Sequence, residues 1–306
     1  MIFRRILVLA AAALALASGC RIGPPPMAGP ARVREAPNPT RNPVLFPNED
    51  GSLKFAVLGD FGTANRPQYE MARQMARQYE AFKLDLVLLV GDNLYGSERP
   101  QDFASKFEIP YKPLLDGGVK FYGALGNHDA REQRYYEQFN MGGKLYYSFH
   151  GPHESVRFFA LDSTYPVPEQ IEWLGKELEG SNEDWKIVFL HHPPYSSGGR
   201  HGSDVKLRQT LEPLFVRYNV SVVFTGHDHF YERIKPQKGI VYFVVGSGGM
   251  LARGDIAPNS PLTDKGYDAD RAFLMAEIYK DKMTFNAVSR TGLVVDSGVI
   301  ERRKAE

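Results

Sequence analysis

Eight side chains able to ligate a metal or move a proton fall in five short clusters: Asp60, Asp92, Asn127 with His128, His191 with His192, and His227 with His229. Carboxylates mixed with imidazoles suit Zn, Mn or Fe, whereas Ca and Mg prefer shells of oxygen. The number is too large for one tetrahedral ion and right for two that share a carboxylate. Two ions roughly 3.5 to 4 Å apart clamp both the attacking and the leaving oxygen in phosphoester hydrolysis. Gly-Asp-Asn at 91–93 also favours a turn. A turn would account for one such cluster and becomes improbable when the arrangement recurs.

Each cluster ends an apolar run that reads as a strand. LKFAVLGD begins at Leu53 and stops at Asp60, LDLVLLVGDN stops at Asp92 and Asn93, and VKFYGALGNHD stops at Asn127 and His128. WKIVFL runs from Trp185 into His191 and His192, and VSVVFT runs into Gly226, His227, Asp228 and His229. Near-continuous apolar runs mark strands buried on both faces, and ligands in α/β folds sit at strand ends. Helical spacing over 67–82, with Pro67 in the first turn, places a helix between the first two strands, which should therefore be parallel with a right-handed crossover. An interrupted helical region is expected over 102–115 and a short helix over 131–139. Strands are expected over 144–150 and 156–162, and helices over 168–178 and 204–218, the last with Asp204 near its start. Residues 240–245 form a further strand ending in a tight glycine loop at 246–249, and 273–300 a closing antiparallel set. Trp173 needs no role beyond packing, His150 and His153 read as surface residues, and Asp228 and His192 as structural rather than ligating. There is no internal repeat.

Lys plus Arg (37) nearly balances Asp plus Glu (36), so bulk charge indicates no nucleic-acid partner. Arg4 and Arg5, an apolar run to Ala17 and small residues before Cys20 read as an export signal over 1–19. The run is too short to span a bilayer permanently. Cys20 is the sole cysteine, so no intramolecular disulfide exists. Its position resembles the lipobox of bacterial lipoproteins, which implies membrane attachment through a lipidated Cys20 and a periplasmic or outer-membrane location, ordinary secretion being the alternative. Residues 20–50 are Pro-rich and read as a tether, leaving 51–306 as one catalytic domain.

The segments GDFG (59–62), GDNLY (91–95), GNHD (126–129), HHPP (191–194) and GHDH (226–229) resemble the five ordered motifs of calcineurin-like metallophosphoesterases. The resemblance extends over 53–300. It implies a four-layer α/β/β/α sandwich with two mixed sheets and a dinuclear metal site at the C-terminal ends of the strands. Tyr95, three residues after Asp92, stands where many relatives carry an acid and purple acid phosphatases carry tyrosine. That subgroup, in its small mammalian and bacterial form, is the one this chain looks most like. The resemblance implies an Fe(III) site of Asp60, Tyr95 and His229, and a divalent site for Fe, Zn or Mn of Asn127, His191 and His227, with Asp92 shared. His128 would contact the phosphate and help to protonate the leaving group, and His201, although one residue further from His191 than in mammalian relatives, resembles a second substrate-side histidine. The implied reaction is hydrolysis of small phosphate monoesters by in-line attack of hydroxide. Two alternatives remain at this point, a diesterase or nucleotidase using Mn or Zn and a surface lipoprotein that keeps the fold without catalysis.

Overall fold

The structure, a computed structural model, describes residues 45–303. The export signal at 1–19, Cys20 and most of the Pro-rich segment lie outside the described residues. The elements, in chain order, are β1 (Leu53–Leu58), α1 (Arg66–Ala81), β2 (Leu86–Val90), α2 (Pro100–Phe103), a π-helical turn (Ala104–Glu108), α3 (Lys112–Asp116) and β3 (Lys120–Ala124). Two 3-10 turns, β4 (Tyr147–His150), β5 (Val156–Ala160), α4 (Pro168–Glu179), β6 (Trp185–Phe189), α5 (Val205–Arg217) and β7 (Val222–Thr225) follow. The chain closes with β8 (Tyr231–Ile234), β9 (Val241–Val245), β10 (Thr263–Tyr267), β11 (Ala272–Tyr279), β12 (Lys282–Ser289) and β13 (Val294–Glu301).

The strands form a six-stranded sheet, β13-β12-β11-β1-β2-β3, and a seven-stranded sheet, β10-β8-β9-β7-β6-β5-β4. Both are mixed. β1, β2 and β3 are parallel, as are β5, β6, β7 and β9, while β11 to β13 and β4, β8 and β10 run antiparallel to their neighbours. The sheets pack face to face through aromatic rings: Phe55 meets Phe158 and Phe224 edge-on at 5.7 and 6.0 Å, and Phe243 meets Phe285 at 5.2 Å. Alternation along the strands then decides what lies outside. Ile187 and Phe189 join the core between the sheets, whereas Val188 joins Leu174, Leu178, Leu211 and Phe215 of α4 and α5 in a second core. A strand covered on both faces loses its polar positions, which is why β2 is LVLLV with every residue buried. The result is the four-layer α/β/β/α sandwich expected from the motifs.

The helix at 66–81 begins as foreseen. Asn65 caps it by accepting from the Gln68 amide, and proline occupies the first turn. Asp204 caps α5 in the same way through Leu207. Three expectations need correction. The short helix over 131–139 is two 3-10 turns, Arg131–Tyr135 and Glu137–Phe139, because Tyr136 between them is extended. Lys144 to Tyr146 remain outside β4, which starts at Tyr147. Strands β8 and β10 had no counterpart in the sequence reading: β8 is four residues long, and β10 is a polar, half-exposed edge strand, TDKGY. At the other end of the domain, Asn48 and Glu49 donate their amides to the buried Glu277 carboxylate and Phe46 stacks on Phe82 at 4.2 Å.

Candidate metal centre

Because β1, β2 and β3 are parallel, their C-terminal ends share one edge, and those of β6 and β7 share the matching edge of the other sheet. The site lies at the seam. The six-stranded sheet supplies Asp60, Asp92, Tyr95 and Asn127, and the seven-stranded sheet supplies His191, His227 and His229.

Asp60, Asp92 and His229 bring one potential ligand atom each to a single point, and His191, His192 and His227 do so at another. Tyr95 completes the first group. Its hydroxyl lies 3.0 Å from Asp60 Oδ1, 3.0 Å from Asp92 Oδ2 and 3.2 Å from His229 Nε2. Asn127 completes the second, with Oδ1 3.1 Å from His191 Nε2, which is itself 3.2 Å from His227 Nδ1. Asp92 touches both. Oδ2 faces Tyr95, and Oδ1 lies 3.4 Å from His191 Nε2 and accepts from the His128 amide at 2.9 Å.

Three of these residues are held in the left-handed region: Asp60 (φ 54°), Asp92 (φ 49°) and His227 (φ 69°). Non-glycine residues rarely adopt it, it costs on the order of 1–3 kcal/mol each, and such strain clusters at functional sites. Close packing accompanies the strain. A Cβ on Gly126 would lie 2.1 Å from Asp92 Oδ1, and one on Gly226 would lie 2.5 Å from Asp60 Oδ2.

Asp60 and Asp92 are 0% and 1% exposed, and among the described residues neither pairs with a lysine or arginine. Buried carboxylates without a counter-charge are costly. Burial, with the repulsion of Asp92 added, pushes the Asp60 carboxyl well above its usual range. Burial, with Asp60 and Asp92 beside it, likewise raises the Tyr95 hydroxyl. The imidazoles move oppositely: burial, then the neighbouring histidines, hold His227 down to about 2 and His192 to about 4, and burial lowers His229. Neutral imidazoles keep a lone pair free. His191 is oriented as well, since its Nδ1 lies 3.0 Å from the Val90 carbonyl, so that Nδ1 carries the proton and Nε2 faces the site. Crowded acidic oxygens that burial keeps from ionising alone, beside nitrogens with free lone pairs, are a donor set that cations satisfy.

The remaining expected residues also converge. His128 is exposed at the rim, its ring 5.1 Å from that of Tyr95. His201 is exposed and its ring lies 4.3 Å from His227. His192, read from sequence as structural, forms part of the imidazole group, with Nδ1 tied to Ser163 Oγ at 3.0 Å. His150 and His153 stay outside, paired with Glu183 and Asp85. Asp228 is buried and accepts from Ser196, as its structural reading implied.

Two positioning residues escaped the sequence reading. Asp129 accepts from the amides of Asn93, Leu94 and Gly126 at 3.0, 3.0 and 2.8 Å, so it ties the Asp92 loop to the Asn127 loop. Lys106, buried in the π-helical turn, donates to the carbonyls of Tyr95 and Ser97 at 2.7 and 2.6 Å. Asp129 was visible as the last residue of GNHD. Lys106 left no signal, since it acts on backbone oxygen.

The family model "Calcineurin-like phosphoesterase" matches residues 53–231, more than half of the chain and every candidate ligand. The chain belongs to the calcineurin-like phosphoesterase family. Among curated proteins this phosphoesterase is 28% identical to purple acid phosphatase 7 of Arabidopsis thaliana over 292 residues, covering 84% of this chain and 88% of that one. It is 30% identical to purple acid phosphatase 17 of the same plant, covering 68% and 72%. A solved structure described as the anchor in the inner membrane complex of Plasmodium has the same fold, with a TM-score of 0.72 at 21% identity over 83% of this chain and 90% of the other. A fold shared with a protein described as an anchor does not by itself carry chemistry. The chemistry rests on the side chains.

Proposed function

We propose that this phosphoesterase is exported and hydrolyses phosphate monoesters at a two-ion centre, in the manner of the purple acid phosphatases it resembles. Asp92 carries the reading, because its two oxygens face two separate ligand groups. Asp60, Tyr95 and His229 would hold one ion and Asn127, His191 and His227 the other, with Asp92 shared. Ions held there would supply Lewis acidity to the phosphate and activate water for attack. Tyr95, once its proton is displaced, is a hard anionic donor of the kind that suits Fe(III), and the imidazole-rich half suits divalent Fe, Zn or Mn.

The protein's own groups do the rest. His128, exposed and fixed through its amide to Asp92, reaches the leaving oxygen and protonates it. His201, its ring 4.3 Å from that of His227, would be a second substrate-side histidine. Strained, buried carriers keep the ligands from relaxing away when the site is empty of substrate. Export rests on residues 1–20, where an apolar run ends in small residues and Cys20.

Metal analysis with a visible spectrum tests the reading. The purified protein should contain iron and absorb in the visible through charge transfer from Tyr95, and Tyr95→Phe should remove that band. Colourless, iron-free protein that cleaves diesters better than monoesters would overturn it in favour of a Mn or Zn diesterase.

A further inference from the structure

His201 lies in a glycine-rich stretch, SSGGRHGS over 196–203, and Gly199, Arg200 and His201 are exposed. Glycine neighbours leave a backbone free to wander. The His201 ring is nonetheless held 4.3 Å from that of His227. What fixes it is the buried stem of the loop, where Ser196 and Ser197 are 4% and 6% exposed.

Two buried carboxylates grip that stem. Asp228, between the candidate ligands His227 and His229, accepts from Ser196 Oγ, which in turn accepts from the Gly198 amide at 3.1 Å. Gly198 is moulded on the same carboxylate, since a Cβ there would lie 2.6 Å from it. Glu232, on β8 and fully buried, accepts from the Ser197 amide at 2.9 Å. Its other oxygen accepts from Thr263 Oγ1 of β10, which lies 2.9 Å from Ser197 Oγ. Because β8 is paired with β9 on one side and β10 on the other, Glu232 has a rigid base. The tip closes onto the stem. Ser203 Oγ accepts from the Ser196 amide at 2.9 Å and donates to the Ser196 carbonyl at 3.0 Å. Gly202, at φ 71°, comes so near that a Cβ would lie 2.9 Å from the Gly198 carbonyl oxygen.

One run of chain, 227–232, thus carries two candidate ligands and both grips. Among the described residues neither grip pairs with a lysine or arginine. Burying an acid in this way costs stability, and an apolar side chain would serve packing alone. Loops that carry function are aligned by the rigid elements beneath them. We infer that Glu232 and Asp228 are positioning residues for His201, holding Ser196 and Ser197 so that the exposed tip stands over the imidazole half of the centre, within reach of a bound phosphate. The inference rests on the phosphomonoesterase reading above.

The experiment is a double-mutant cycle on the metal-loaded full chain, read by calorimetric Kd for inorganic phosphate and by kcat/KM for p-nitrophenyl phosphate. Glu232→Gln and His201→Ala should each weaken phosphate binding about tenfold, as expected for loss of a hydrogen bond to a charged group, with the metal content of the parent retained. Combined, they should weaken it no further than His201→Ala alone, because one acts through the other. Losses that multiply to about a hundredfold overturn the inference, as does a Glu232→Gln protein that melts earlier but binds phosphate as the parent does. Gly198→Ala pushes the stem off Asp228 without altering a residue beside the ligands, and it decides the matter through the same cycle if Glu232→Gln does not fold. A parent that binds phosphate and shows non-multiplying losses, yet hydrolyses no monoester, sinks the phosphatase reading and supports the positioning. An active parent with multiplying losses does the reverse.

Discussion

The two halves of the centre are built from different donors although they share Asp92. The half around Tyr95 is oxygen-rich, with two buried carboxylates each 3.0 Å from the phenol hydroxyl. The half around His191 is nitrogen-rich, with three imidazoles and one amide oxygen, and Asn127 on its rim is exposed. The sheets account for the difference. The six-stranded sheet contributes all the oxygen donors, whereas the imidazoles come from the seven-stranded one. Oxygen donors that ionise together hold a highly charged cation, and neutral nitrogens suit a divalent one. A site with two unequal halves can thus hold two unlike ions.

The largest break in this asymmetry is Asp92→Asn. It removes the shared charge, so metal content should fall in both halves and kcat/KM should drop about a thousandfold, which at about 1.36 kcal/mol per decade corresponds to losing several kcal/mol of charge stabilisation. Equal activity in the variant and the parent would mean that the halves are not joined through this residue. Next come His191→Ala and His229→Ala. Each should leave close to one ion per chain instead of two, with the visible band kept in the first and lost in the second, as read by metal analysis.

How much of this asymmetry was legible beforehand is uneven. Asp60, Asp92, Asn127, His191, His227 and His229 could be found because each terminates an apolar run, and a strand end is a position that sequence periodicity fixes. Tyr95 could be found only through the pattern of the motif, since nothing in its neighbourhood reveals that the loop returns its hydroxyl to Asp60, 35 residues earlier. His192, read as a supporting rather than a ligating residue, lies against His191 and His227 with its Nδ1 tied to Ser163 at 3.0 Å. The two 3-10 turns at 131–139 were read as one helix because apolar spacing does not distinguish a helix from two short turns packed on the same core.

The halves should also respond oppositely to acid in the metal-free protein. His227, held to about 2, and His192, held to about 4, bind protons less readily folded than unfolded, where imidazole titrates near 6.5. Below about pH 6.5 the unfolded chain gains those protons first, so this half loses stability as pH falls toward 4. Asp60, pushed upward by burial, binds its proton more readily folded, so the oxygen half gains stability over the same range. Melting temperatures between pH 4 and 6.5 should fall less steeply with acid in His227→Gln than in the parent and more steeply in Asp60→Asn. Identical slopes in both variants would remove the contrast.

The smallest expected effect is that of Lys106→Met. It frees the Tyr95 and Ser97 carbonyls without touching a ligand, so it should weaken or shift the visible band and cut kcat severalfold. The ion on the imidazole side should stay bound. A change in both ions equally would make Lys106 a general fold residue.

The glycines of the motifs give the centre a further property. Gly126, in the third motif, is the space into which Asp92 of the second motif fits, and Gly226, in the fifth, is the space for Asp60 of the first. Each motif is therefore shaped around the side chain of another, and contact across shared space makes substitutions non-additive. Grafting one motif from a distant relative would bring a carboxylate without its recess, or a recess without its carboxylate. The ligands of this site are inherited, and would have to be transplanted, as one interlocking set.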